Sequence, residues 1–132
     1  GDGTFADVSE TTLARDFPTS MGVATGALNN DGHTEIYVAN MFSKMGRRII
    51  GQLSEDDYPP GIFARVRGSC AGNRLYSKPS ANQPYEEFGE AMEVSSVGWA
   101  YAPAMADLDN DGWLDLYATT GFMSFDRKKP DG

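Results

Sequence analysis

Asp107, Asp109, Asp111 and Asp115 fall within nine residues, in the stretch DLDNDGWLD, and an alternating apolar run follows them directly. They occupy positions 1, 3, 5 and 9 of a D-x-D-x-D-G-x-x-D pattern, a spacing at which a chain can wrap a single point. Oxygen donors without imidazole or thiolate suit a hard cation, and Ca²⁺ takes about six to eight oxygens at about 2.3–2.6 Å. Gly112 at position 6 permits the sharp turn, and Trp113 at position 7 can offer its main-chain carbonyl. Without a cation the cluster is unfavourable, because two unit charges about 4 Å apart repel by roughly 1 kcal/mol in water and by more near a protein surface. The sequence therefore predicts a Ca²⁺ site at Asp107, Asp109, Asp111, Trp113 and Asp115.

The residues after the turn decide what kind of loop this is. A helical EF-hand closes with a bidentate Glu at position 12. Position 12 here is Ala118, inside a strand-like run. A dockerin-type loop fails on the same two counts, which leaves a loop that closes at position 9 between two strands.

The segment ATGALNNDGHTEIYVANMF (24–42) aligns without a gap with AMADLDNDGWLDLYATTGF (104–122) at an offset of 80. Such self-similarity points to repeated structural units. The first copy has Ala27 at position 1, Asn29 at 3, Asp31 at 5, His33 at 7 and Glu35 at 9, so it carries two formal negative charges instead of four. It reads as a weaker second metal site formed by Asn29, Asp31, His33 and Glu35, or as an Asn/Asp/Gly turn held by its own side-chain hydrogen bonds. Upstream, GTFADVSE (3–10) aligns more loosely with YEEFGEAM (85–92), Phe5 facing Phe88.

Each copy requires a strand, a tight acidic turn and a second strand. EIYVANMF and LDLYATTGF alternate apolar residues and are rich in β-branched and aromatic types, as half-buried strands are. Before each turn, MGVATGA and GWAYAPAMA are small and punctuated by Gly or Pro, which suits strands packed closely on a neighbouring sheet. The fold expected is all-β, with about two repeats built as antiparallel propeller-like blades. The division is 1–42 for the first repeat, 43–72 for a long inserted loop, 73–125 for the second repeat and 126–132 for a turn or tail. The insertion carries five of the eleven basic residues and the Pro59–Pro60 pair, and its RRIIGQL stretch fits a short helix or a short strand equally. Trp99 and Tyr101 read as core aromatics beneath the acidic loop, and His33 as a surface turn residue.

DLDNDGWLDLY, together with GDGTFADV (1–8) and GNRLYSKPS (72–80), resembles the FG-GAP/VCBS repeats of integrin-α-like β-propellers and of bacterial surface and ASPIC/UnbV-type proteins. The first loop departs from that pattern at Ala27 and Asn29. The resemblance implies calcium-stabilised blades in an exported protein, extracellular, at the cell surface or periplasmic, with an adhesive or scaffolding role and no catalysis of its own. Since two blades do not close a propeller of four to eight, it also implies self-association, as a ring or filament through open sheet edges, or a larger parent chain. A protein or polysaccharide ligand on the 43–72 insertion is the alternative function.

Composition narrows the partners. With 132 residues the chain suits one structural unit, and 40% hydrophobic residues suit a folded one. A net charge of -8 and a pI near 4.4 oppose nucleic-acid binding, which needs a basic face. No apolar run is long enough for a membrane span. The single Cys70 excludes an internal disulfide and leaves a half-buried thiol or an intermolecular bridge. The opening at Gly1, without Met or a signal-like segment, reads as a processed, excised or truncated chain. A metal-dependent hydrolase is disfavoured because no second acidic or His cluster offers a base.

Overall fold

The structure, a computed structural model, describes residues 2–8 and 19–121. The chain is mostly β, in two antiparallel sheets with a few short helices. Four strands, β1 (Ser20–Gly26), β2 (Glu35–Asn40), β3 (Arg74–Ser77) and β4 (Glu86–Glu87), form one sheet in sequential order. The second sheet is the hairpin of β5 (Ala100–Ala106) and β6 (Asp115–Thr120).

The offset of 80 found in the sequence is reproduced by the strands. β1 and β5 begin and end 80 residues apart, as do β2 and β6. Gly26 faces Glu35 as Ala106 faces Asp115, and each hairpin has a register irregularity near its open end, between Ser20 and Gly22 and between Ala100 and Pro103. Such irregularities let a strand bend toward its neighbour. The expectation of small residues for close packing holds. A Cβ on Gly22 would run into the Tyr101 carbonyl oxygen and come within 2.9 Å of Pro103 Cδ, and one on Gly26 would come within 2.7 Å of Leu114 Cδ1.

The NRLY segment, grouped by its sequence with the second repeat, lies in the first sheet. Its strand β3 pairs with β2 through Ile36–Tyr76, Tyr37–Leu75 and Val38–Arg74. Pairing buries an apolar centre of Tyr37, Ala39, Leu75 and Tyr76, to which Phe42 and Ala100 add. Asn73 caps the junction, its Oδ1 accepting the Asn40 N–H at 2.7 Å. The buried Tyr37 hydroxyl donates to the Val94 carbonyl at 2.9 Å. Burial pushes its pKa up from 10 to about 12, because the phenolate would lose its water.

The 43–72 segment is structured rather than a loop. RRIIGQL resolves as helix for its first residues, in α1 (Lys44–Ile50), and α2 (Ile62–Ser69) follows a 3₁₀ turn at Glu55–Asp57. Ser43 caps α1, its hydroxyl accepting the Gly46 N–H at 3.0 Å, and Arg47 and Arg48 sit where the helix dipole favours cations. An antiparallel bridge between Phe42 and Ala71 closes the base of the segment.

The expectation that Trp99 and Tyr101 are core aromatics is not met: they are 36% and 38% exposed. The physical reason is that, among the described residues, β5 and β6 make a two-stranded sheet and β5 has a neighbouring sheet on its β1 side only. Phe5, aligned with Phe88, is fully exposed within a segment without regular structure. Phe122 and the 126–132 tail lie outside the described residues. Among the described residues, no helix is long and apolar enough to cross a membrane.

Candidate metal centre

The two acidic turns share a backbone. Asn30 and Asn110 both take a left-handed conformation, with φ of 54° and 66°. Gly32 and Gly112 follow with φ of 84° and 91°, a region where a Cβ is strained. The position-3 side chain accepts the position-5 N–H in each, at 3.1 Å (Asn29 to Asp31) and 3.2 Å (Asp109 to Asp111). The position-5 carboxylate then accepts the position-7 N–H, from His33 at 2.8 Å and from Trp113 at 2.9 Å. The position-9 carboxylate reaches back to the position-2 N–H, Glu35 to Leu28 at 2.7 Å and Asp115 to Leu108 at 2.9 Å.

What differs is what the carboxylates are free to do. In the second turn Asp107, Asp109 and Asp115 each bring a carboxylate oxygen to within 4.8 Å of the others, and this group can hold a metal ion. Asp107 also accepts the N–H groups of Asp111 at 3.0 Å and Gly112 at 2.9 Å, so it organises the turn that it opens. Asp111, expected as a fourth ligand, is not in the cluster, and its carboxylate is engaged by the Trp113 N–H. Trp113 is positioned by that same bond, with its side chain half exposed.

In the first turn the same positions bond to one another. Asn29 Nδ2 donates to Asp31 Oδ2 at 2.8 Å, and the His33 N–H, with the Asn29 amide adding to it, holds the Asp31 carboxyl below its usual range. Glu35 is buried, and its second oxygen accepts the Ser77 hydroxyl of β3 at 3.0 Å. Ala27 supplies no donor. The first loop gathers no third carboxylate, and Asp107, Asp109 and Asp115 form the one such acidic group among the described residues.

Two features were not foreseen in the sequence. Asn30 Nδ2 donates to the Gly112 carbonyl at 3.2 Å, so the two turns touch across 82 residues. A cleft of about 800 Å³ lies between α1, α2 and the first sheet, with Ile50, Leu53 and Phe63 among its apolar walls and Arg47, Arg67 and Arg74 among its cations. Only the richness of 43–72 in basic residues pointed toward it.

Comparison with family models, with curated proteins and with solved structures gave no match.

Proposed function

We propose that this chain is a non-enzymatic, calcium-binding structural module of an exported protein, of the FG-GAP/VCBS type, acting in adhesion, surface scaffolding or self-assembly. The observation that carries the reading is the carboxylate group of Asp107, Asp109 and Asp115, gathered at the end of a strand hairpin. Oxygens bound around one Ca²⁺ at about 2.3–2.6 Å are at most about 5 Å apart, so donors within 4.8 Å of one another fit the ion. The donor set contains oxygen alone, which favours calcium over the transition metals. Extracellular modules bind calcium at about 10⁻⁴ to 10⁻³ M, and a turn of exposed carboxylates is in keeping with that range. The ion then fastens β5 to β6 where the two strands diverge, and the two hairpins stand as the inner strands of successive blades.

The test is a thermal melt in EDTA and in about 10–100 mM Ca²⁺, roughly 100 times that dissociation constant, with Asp109→Ala beside the wild type. Ligand at about 100 times its dissociation constant adds roughly 2.7 kcal/mol. A rise in the wild type that the variant lacks supports the reading. No rise in either reduces the turn to a polar hairpin and removes calcium from the function.

The cleft, lined by Arg47, Arg67 and Arg74 and also by Glu87 and Glu90, favours a second reading, recognition of a protein or polysaccharide by residues 43–72. Because Phe42 and Ala71 are paired, a short turn can replace residues 44–69 without separating β2 from β3. Under this reading the replacement abolishes ligand binding and leaves calcium uptake intact. Retained binding rejects it.

A further inference from the structure

We infer that the edge of β6, which no strand among the described residues covers, is a docking site for an extended polypeptide segment with the pattern of β3, Asn-Arg-Leu-Tyr-Ser-Lys, which adds antiparallel as a third strand. The inference rests on the blade reading above. The first hairpin displays its own completed form: β3 lies along β2, Tyr37 is 1% exposed, and Ser77 donates to Glu35. The second hairpin matches the first at an offset of 80 yet ends at β6, where Tyr117, the counterpart of Tyr37, is 56% exposed.

The backbone of β6 is oriented for this pairing. Pro103 has no N–H and stands opposite Ala118, so theirs is a pair whose backbone groups point away from each other. The N–H and C=O of Ala118 therefore face the open edge, and by alternation so do those of Leu116 and Thr120. The Gly121 N–H donates to Trp99 at 3.4 Å, as that alternation requires. In the first sheet the counterpart positions Ile36 and Val38 pair with β3, and the Asn40 N–H is taken by Asn73.

Other edges are protected. β4 is two residues long and both are Glu, a short, charged edge of the kind that resists pairing. β1 and β5 approach each other through Gly22 and Tyr101. Charge selects the occupant of β6. Its edge begins at Asp115, beside the carboxylates of Asp107 and Asp109, and the register of the first sheet sets the cation at the Lys78 position of a β3-like segment against that end. A second copy would instead bring its own net charge of -8, and its β3 is already enclosed between β2 and β4.

The test appends a second copy of residues 72–78 to Gly132 through a flexible Gly/Ser linker, beside the unextended chain and a version with those seven residues scrambled. Amide hydrogen exchange is read at β6, in Ca²⁺ and in EDTA. The expected result is exchange slowed by roughly tenfold or more at Leu116, Ala118 and Thr120 in the extended chain alone. Ala118→Pro in that chain should abolish the gain at Leu116 and Thr120 while Tyr117, bonded to β5, keeps its protection. No slowing, or equal slowing with the scrambled segment, overturns the proposal. So does an unextended chain already protected at these amides: sedimentation as a dimer would assign the edge to a second copy, and as a monomer to the chain's own residues. The exchange pattern reports on the edge and the calcium melt on the carboxylates, so failure of one reading is distinguishable from failure of the other.

Discussion

Replacing Asp109 by Ala should change stability in opposite directions with and without metal. In EDTA, Asp109 stands within 4.8 Å of two other carboxylates, and each such pair repels by roughly 1 kcal/mol in water, less at physiological salt. The hydrogen bond it loses is slight, since the Asp111 N–H that it meets at 3.2 Å is also accepted by Asp107 at 3.0 Å. Asp109→Ala is therefore expected to stabilise the metal-free chain by about 1 kcal/mol, or roughly 4 °C in melting temperature for a chain of this size. In saturating Ca²⁺ the variant forgoes a gain of roughly 2.7 kcal/mol and falls below the wild type. Asp107→Ala provides the contrast, because the Gly112 N–H loses its acceptor, worth about 1 kcal/mol, while the Asp111 N–H keeps Asp109, so the repulsion relieved is offset and the variant should gain nothing in EDTA and fall below the wild type in Ca²⁺. Calorimetric melts of the three chains in the two buffers suffice. If Asp109→Ala is destabilising by the same amount in EDTA and in Ca²⁺, the repulsion argument fails and the metal reading fails with it.

Ala27→Asp combined with Asn29→Asp should give the first turn a calcium site, raising the stoichiometry in isothermal titration from one to two, because the two turns already share their backbone bonds. Tyr37 is neutral in the fold with a pKa of about 12 against 10 when unfolded, so its contribution is complete below pH 10 and is lost as pH rises toward 12. Alkaline melts should show a loss of about 2–3 kcal/mol over that window, which Tyr37→Phe abolishes at a cost of about 1 kcal/mol at neutral pH for the bond to Val94. Gly22→Ala should destabilise by about 1–3 kcal/mol, since its Cβ meets backbone at Tyr101 and not a flexible side chain that can move away. A chemical denaturation midpoint unchanged in Gly22→Ala would show that β1 and β5 do not pack as described.

The hairpins were legible in the sequence because each is local: alternation sets the strands, and Asn-Asp-Gly with its left-handed residues sets the turn. Asp107, Asp109 and Asp115 were legible for the same reason. Asp111 shares that spacing but lies outside the group, its carboxylate accepting the Trp113 N–H, a local geometry that spacing alone does not reveal. The membership of β3 in the first sheet depends on pairing between residues 36–38 and 74–76, across a helical segment that leaves no local signal. Helices α1 and α2, of seven and eight residues, are too short to show a 3.6-residue stripe, and neither has a fully buried residue. Trp99 and Tyr101 were placed in the core on residue type, and their exposure follows from the number of strands over them, which composition does not encode.

The contrast between the two turns also bears on mechanics. The first is latched by its own side chains, Asn29 to Asp31 and Glu35 to Leu28 and Ser77, whatever the ionic surroundings. The second is bonded as fully, Asp107 to Asp111 and Gly112, Asp111 to Trp113 and Asp115 to Leu108, but it also crowds three carboxylates whose repulsion the medium can screen or a cation can offset. Within one chain an uncrowded turn thus abuts a charge-crowded one, joined at their tips by Asn30 and Gly112. Under the proposed calcium reading, tension on the chain would find its weakest element at the second hairpin when calcium is scarce, and a load shared more evenly when calcium is abundant.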